Sequence, residues 1–175
     1  MTLSAIGSIG LLWLSAAWTP ALAADSGKSA PVKLAVFAFE LEDVSPAASF
    51  APAASASDAV IMEHVSSEAR QVLAQSGRYS LIDVSKVDAK PVLQKQLRNC
   101  GGCEAAIARQ LGAQQSLIGV VTRATQTDYY VLIQIRDART GKILDQQSAN
   151  FAGGDDGSAS GARMLIKHQI LATQD

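Results

Sequence analysis

The segment SLIGVVTRATQTDYYVLIQIRDARTGKIL, Ser116 to Leu144, predicts the centre of the fold. Its first six residues are continuously apolar, which is typical of a strand buried on both faces. From Asp128 to Ala138 apolar and polar residues alternate, so this stretch predicts a strand with one face on the core. The following turn places Gly141 where a positive φ is needed and leads to a last strand, from Ile143 to about Phe151. The segment therefore predicts three consecutive strands.

The residues upstream predict a strand, a helix and a second strand. The alternating segment KLAVFAFELED, Lys33 to Asp43, predicts a single strand. A helix opens at Asp58, carries apolar residues at helical spacing and ends at Gly77. Tyr79 to Val84 predicts the next strand. A connection of this length between two strands implies a parallel, right-handed pair.

The remaining segments predict helices. The first covers Asp88 to Leu97, the second is short and follows Cys103, and the last covers Ala162 to Thr173. The predicted order is β-α-β-α-α-β-β-β-α. The predicted fold class is therefore α/β (α+β), a two-layer arrangement with a mixed sheet of about five strands, three to four helices, and the helices mainly on one face.

The amino-terminal residues predict export. Residues 1–24 contain no Asp, Glu, Lys or Arg, and the apolar run from Ile6 to Trp18 precedes the small residues Ala21 and Ala23. This pattern predicts a signal peptide at 1–23, a flexible leader at 24–32, a single domain at 33–175 and a periplasmic location. The run is shorter than the roughly 20 residues of a membrane span, so we expect none in the mature protein. Because the segment has no basic side chain, an uncleaved anchor is the alternative.

The composition argues against two classes of binding partner. The chain has 15 Lys and Arg against 16 Asp and Glu, a formal net charge of −1. That balance gives no electrostatic basis for binding nucleic acid or an anionic membrane surface. Aromatic residues make up only 5% of the chain, which argues against a platform for stacking bases or sugars.

Four segments carry a resemblance to a known family. They are LAVFAFE (34–40), LAQSGRYSLIDVS (73–85), CGGCEAAIARQLGAQQSLIGVVTR (100–123) and IRDARTGKILDQQ (135–147). With them the chain resembles an exported proteobacterial domain-of-unknown-function family with a TolB amino-terminal-like fold, and more distantly the curli-secretion lipoprotein domain. The resemblance implies a noncatalytic periplasmic accessory protein that binds an envelope protein, without a cofactor, and an association with periplasmic quinoprotein oxidation systems.

The motif Cys100-Gly-Gly-Cys103 has the most chemical potential in the chain. At the start of a helix it could form a reactive dithiol, which makes a thiol-disulfide redox protein the alternative function. Two cysteines alone, in an oxidising compartment, favour a structural disulfide. One such pair supplies only half of a tetrahedral zinc site, and His64 and His168 have no ligand spacing to it. We therefore expect a disulfide, no catalytic residues and no metal.

The partner-binding surface is predicted at two loops, Val44 to Ser57 and Val84 to Asp88. Both follow the carboxyl ends of strands predicted to be parallel, and open α/β sheets usually bind their ligands at that edge. Phe50 is the expected exposed anchor, although it could instead pack onto the core. The predicted contact residues are Phe50, Asp43, Val44, Ser85 and Lys86.

The other charged residues have structural interpretations. Glu40, Glu42 and Asp43 lie near the end of a strand, where adjacent acids without a partner base usually form a solvated edge. Arg123 and Arg136 lie on or beside the predicted hairpin, where cross-strand ion pairs are expected.

Overall fold

The computed structural model describes residues 30–50, 56–86, 96–125, 127–152 and 155–172. Its six strands are β1 Val32–Val36, β2 Glu40–Asp43, β3 Tyr79–Ile82, β4 Gln115–Arg123, β5 Asp128–Asp137 and β6 Ile143–Ala152. The α-helices are α1 Ala56–Gln75, α2 Cys103–Gln110 and α3 Asp155–Leu165, which continues into a π-helical turn Ile166–Ile170. Short 3₁₀ turns cover Pro46–Ser49, Val84–Lys86 and Leu97–Asn99.

Some predictions fall outside the described residues. These are the signal peptide at 1–23, residues 24–29 of the leader predicted at 24–32, and the helix predicted from Asp88, apart from its last two residues. No helix in the described ranges combines the length and apolar character needed to cross a membrane.

The strands form one mixed sheet in the order β3-β1-β4-β5-β6, with β2 also paired to β4. β1 is parallel to β3 and β4, and β2 is parallel to β4. β4, β5 and β6 form an antiparallel meander. The predicted fold class and the parallel pairing of the first strand with the strand after α1 are confirmed.

The predicted single strand from Lys33 to Asp43 is instead two strands on the same side of β4. β1 pairs with the beginning of β4, at Gln115 to Leu117, and β2 pairs with the end of β4, at Val120 to Arg123. The break has a packing cause: Phe37 lies in the hydrophobic cluster on one face of the sheet, and Phe39 lies in the cluster on the other. Two residues at spacing i, i+2 in a regular strand share a face, so the chain must turn between them.

Phe39 also explains a glycine in the central strand. Its ring covers Gly119 so closely that a Cβ there would come within 2.1 Å of the ring. The Phe39 N–H donates to Ser66 Oγ of α1 at 2.8 Å, which fixes the break against the helix.

The sheet has a helical cover on each face. The two longer helices, α1 and α3, pack on one face over the larger hydrophobic cluster. This agrees with the prediction that helices lie mainly on one face. α2 and the turn Leu97–Asn99 lie on the opposite face, over Ala35, Phe37 and Ile118. The described domain therefore has two full layers and a small third one.

Candidate functional site

Arg123, at the end of β4, joins three elements at one end of the molecule. Its Nη1 donates to Asp43 Oδ2 of β2 at 2.9 Å, and its Nη2 donates to Asp58 Oδ1 of α1. Its guanidinium lies 5.8 Å from the centre of the Tyr129 ring. We call Arg123, Asp43 and Asp58 the Arg123 bridge. It holds the end of β2 against the start of α1 and so brings the residues that follow them together.

The charges of the Arg123 bridge are stabilised. Hydrogen bonds from Ser45, together with the ion pair to Arg123, lower the pKa of the Asp43 carboxyl. Burial opposes the charge of Arg123, but the hydrogen bonds to Asp58, Tyr129 and Asp43 and the charge of Asp58 together outweigh it and raise the pKa of the guanidinium. Both groups are therefore ionised at neutral pH, and the bridge positions other residues without exchanging protons.

The interpretation of the acids as a solvated edge without a partner base is wrong for all three. Glu42 accepts a hydrogen bond from Thr122 Oγ1 at 3.1 Å, and its Oε1 lies 3.8 Å from Arg98 Nε. Asp43 belongs to the Arg123 bridge. Glu40 accepts hydrogen bonds from the backbone N–H groups of Leu97 and Arg98, and its Oε2 lies 3.1 Å from Arg98 Nη1. The local pattern does not show that the partner base, Arg98, comes from a turn more than fifty residues later.

Three large apolar side chains are exposed around the Arg123 bridge. Val44 follows Asp43 and is 59% exposed, and Val60 follows Asp58 by two residues and is 71% exposed. Phe50 is 92% exposed after the turn Pro46–Ser49, so it does not pack onto the core. We call Val44, Phe50 and Val60, with the Asp43 carboxylate, the apolar rim. The sequence predicted Phe50, Val44 and Asp43 as contact residues, and that stays a prediction. It did not single out Val60, whose exposure depends on how α1 is rotated.

The other two predicted contact residues lie elsewhere. Ser85 and Lys86 are in the turn after β3, and Ser85 is exposed and hydrogen-bonded to Asp83 Oδ1. β3 ends at the level of Ser116 on β4, whereas β2 ends at the level of Arg123. Ser116 and Arg123 are seven residues apart along β4, which corresponds to about 23 Å. Both loops follow strand carboxyl ends of the same direction, but the break before β2 carries Val44 well beyond the end of β3.

A groove of about 470 Å³ lies beside Ser85, between α1 and the end of β3. Leu81, Ile82 and Val84 line it from the sheet side, and Glu63 and Arg70 line it from α1. Glu63 is three residues after Val60, so both lie on one face of α1. This helix face runs from the apolar rim toward the groove and connects the two predicted halves of the surface.

The two cysteines meet in a half-buried turn on the opposite face of the sheet. Cys100 and Cys103 are disulfide-bonded, with Cα atoms 5.6 Å apart. Gly101 and Gly102 between them have φ of 67° and 109°, a backbone region that side chains other than glycine rarely adopt. The Cys103 N–H at the start of α2 points to Cys100 Sγ at 3.2 Å. The prediction that the cysteines pair therefore fits the local geometry.

A buried carboxylate lies beneath the disulfide. Glu104 is 1% exposed, with Oε2 3.7 Å from Cys100 Sγ and Oε1 2.9 Å from Arg136 Nε of β5. Sequence reasoning missed Glu104, because an acid in the first turn of a helix is ordinarily a solvent-exposed partner of the helix dipole. Cys100, Cys103 and Glu104 offer ligand atoms within 4.8 Å of one another, but the sulfurs are bonded to each other. The absence of a metal stays a prediction.

This architecture defines a small domain with a mixed α/β fold. The LpoB C-terminal domain from Salmonella enterica is 20% identical, with a TM-score of 0.51 over 73% of this chain and 87% of that one. Lipoprotein GNA1162 from Neisseria meningitidis is 15% identical, with a TM-score of 0.49 over 82% of this chain and 97% of that one. TolB from Acinetobacter baumannii is 13% identical, with a TM-score of 0.42 over 77% of this chain and 25% of TolB.

The family match covers most of the chain. The family DUF3280, described as "Protein of unknown function (DUF2380)", matches residues 32–170, and the chain belongs to it. This confirms the resemblance to a family of unknown function with a TolB-like fold. No curated protein matches the chain. At 20% identity or less, the structural likenesses define the fold and carry no activity across.

Proposed function

We propose that the protein is a noncatalytic accessory domain of the bacterial envelope, exported by residues 1–23, that binds a protein partner through the apolar rim. The observation that carries the proposal is Phe50, 92% exposed. An exposed aromatic side chain offers a large apolar area to a partner, and aromatic anchors dominate the binding energy of many interfaces.

The geometry around Phe50 supports a binding surface. Val44 and Val60 add exposed apolar area at the same end of the molecule, and the Arg123 bridge fixes the strand and helix that carry them. A preorganised surface loses less conformational entropy on binding than a mobile one. The carboxylate of Asp43, at the edge of the rim, adds a polar contact that would favour a basic group on the partner.

Site-specific photocrosslinking in cells tests the proposal. A photoreactive amino acid at Phe50 should trap a discrete envelope protein, whereas the same amino acid at Tyr130 should not. Tyr130 is a matched control, since it is also aromatic and is 44% exposed, but it lies on the other face of the sheet. Equal trapping at both positions, or none at Phe50, rejects the rim as the interface.

Two further variants separate the halves of the predicted surface. Phe50→Ser should abolish capture of the crosslinked protein and leave the melting temperature within a few degrees, because the side chain contacts little of its own domain. Ser85→Glu tests whether the groove and the turn with Lys86 take part. Loss of capture in both variants extends the interface along α1, and loss in Ser85→Glu alone moves it to the groove.

The location and the biological system need separate experiments. Intact-mass measurement of periplasmic material should give a chain that begins at Ala24, and retention of residues 1–23 in the membrane fraction would mean an anchor. The family resemblance makes a periplasmic quinoprotein oxidation system the first partner to test, by co-purification with its dehydrogenase.

A thiol-disulfide redox protein is the second candidate. It is favoured by the Cys103 N–H that points to Cys100 Sγ at the amino terminus of α2, an arrangement that stabilises a thiolate. The buried carboxylate of Glu104, 3.7 Å from the same sulfur, opposes a second negative charge. Equilibration of the protein with glutathione tests whether the disulfide is a redox site or a structural bond. A reduction potential near those of catalytic dithiols supports redox activity, and a far more reducing potential supports a structural bond.

A further inference from the structure

β6 forms one edge of the sheet. In the part of the chain that the structure describes, nine of its ten residues pair with β5 on one side, Leu144 is skipped at a shift of register, and no strand pairs on the other side. Natural proteins usually protect such edges with charges, prolines or short strands. Between Asp145 and Ala152 the only charged residue is Asp145, and there is no proline. The edge at β3, in contrast, is only four residues long.

The hydrogen bonds of the neighbouring strand show which groups of β6 point outward. In β5, the backbone of Asp137 faces β6, because its N–H donates to the carbonyl of Lys142, and the N–H of Ala138 faces away from β6. Backbone groups of successive residues alternate in direction, so the odd-numbered residues of β5 bond to β6. From the register, their partners include Gln147 and Ala149. The N–H and C=O groups of Gln146, Ser148 and Asn150 therefore point outward.

These three residues form a self-complementary edge. In an antiparallel pairing of two copies centred on Ser148, Ser148 faces its own copy, and Gln146 of one copy faces Asn150 of the other. All three side chains are exposed and uncharged. Asp145 falls opposite Phe151 and does not meet its own copy. No directly opposed pair brings like charges together, and amide and hydroxyl side chains can hydrogen-bond across the strands.

The flank of α3 adds apolar area next to the same edge. Gly161 of α3 lies against the Phe151 ring of β6, and Arg163 faces α1 through its ion pair with Glu68. Met164 is three residues after Gly161 and is 60% exposed. By helical spacing it lies on the flank directed away from α1. A two-fold axis at Ser148 places both copies of α3 on the same face of the joined sheet, where each covers the other's Met164.

We propose that two copies of this chain pair through the outer edges of β6, centred on Ser148, to form one continuous sheet. This surface is distinct from the apolar rim, and either proposal can fail while the other stands. Dimerisation would satisfy the outward backbone groups of both copies and bury Met164 at the same time.

Charge substitution at the edge tests the proposal. The mature protein should show a concentration-dependent monomer–dimer equilibrium in sedimentation velocity. In a dimer of the double variant Gln146→Lys/Asn150→Lys, each lysine at position 146 would face a lysine at position 150 of the other copy. We therefore expect the affinity of dimerisation to fall by about tenfold or more. Gln146→Glu/Asn150→Glu should behave in the same way. An equimolar mixture of the two variants should recover the dimer, because each lysine then faces a glutamate.

A backbone substitution provides the second test. Ser148→Pro removes an outward N–H and leaves the bonds to β5 intact, so it should yield a folded monomer, while the matched control Ser148→Thr should dimerise like the parent. A parent protein that is monomeric at all accessible concentrations overturns the proposal. So does a dimer that the charged variants leave unchanged, because that dimer uses another surface or another segment covers β6.

Discussion

The two faces of the sheet are covered in different ways. Among the described residues, eighteen buried apolar residues form one cluster under α1 and α3, which includes the large side chains Leu165 and Ile166. On the opposite face, the described residues under α2 form a cluster of eight, of which four are alanines. Two ion pairs fix that smaller cover to the sheet, Glu104–Arg136 to β5 and Arg98–Glu40 to β2, and the disulfide joins α2 to the turn before it. Where a helix is too short to bury much apolar surface, polar links take over its attachment to the sheet.

The largest effect is expected in the larger cluster. Leu165→Ala, at a side chain that is 2% exposed, should lower the free energy of unfolding by about 3–4 kcal/mol. Ile107→Ala in the smaller cluster, where the side chain is 6% exposed, should lower it by only about 2 kcal/mol, because the neighbouring side chains are smaller and can close the cavity. Urea unfolding measures both. Equal losses would show that the two clusters do not differ in their contribution to stability.

Breaking the ion pair under α2 should have the next largest effect. Glu104→Ala leaves Arg136 without its carboxylate and should cost about 2–3 kcal/mol, less than for a fully buried pair because Arg136 is 19% exposed. Glu68→Ala, which removes the more exposed ion pair between α1 and α3, is the matched control and should cost less than about 1 kcal/mol. Thermal or urea unfolding gives both values, and the reverse order would contradict the importance of polar links on the α2 face.

Removal of the disulfide should have a moderate effect. Cys100→Ala/Cys103→Ala opens a very short loop, so the chain-entropy estimate is about 2 kcal/mol, and the domain should still fold. Circular dichroism and urea unfolding check this. Alkylation of periplasmic material before and after reduction should show both thiols protected until reductant is added. Labelling of two thiols in the parent protein without reductant would contradict the disulfide. Failure of the double alanine variant to fold would mean that the disulfide is essential for the α2 cover.

The smallest change in the free energy of unfolding is expected at the Arg123 bridge, where it depends on the protonation of Asp43. The folded-state pKa of Asp43 is lowered, so its contribution is fully present above its unfolded pKa of about 4 and is lost as the pH falls through the lower folded value. Asp43→Asn should therefore lower stability by less than about 1 kcal/mol at pH 7 and flatten the decline of stability below pH 4. Unfolding curves between pH 2 and pH 7 measure it. A decline as steep as in the parent would assign the acid sensitivity to other carboxyls.

The sequence predicted the elements whose patterns are local. The alternation in β5, the apolar run in β4, and the turn at Gly141 with its φ of 72° all appear as expected. The break between β1 and β2 was not predictable, because the alternation of Ala35, Phe37 and Phe39 continues through it. Only the packing shows that the two aromatic rings lie on opposite faces of the sheet.

The candidate sites were predictable in part. Phe50 stood out as a lone aromatic residue in a loop of small residues, but its exposure depended on the tertiary fold. The burial of Glu104 and the partners of Glu40 and Asp43 depend on residues far away in the chain. Composition and spacing identify such groups as charged, but they do not show which of them meet.

The parallel pairings of β1 and β2 affect the order in which the chain acquires its fold. Leu34 pairs with Gln115 and Glu42 with Thr122, about 80 residues later, whereas β4, β5 and β6 pair with their neighbours in sequence. Long-range pairings form slowly because a large loop must close first. A chain that is synthesised from its amino terminus cannot complete the centre of its sheet until β4 has been made. The late position of β4 therefore keeps the sheet open until most of the chain has been synthesised.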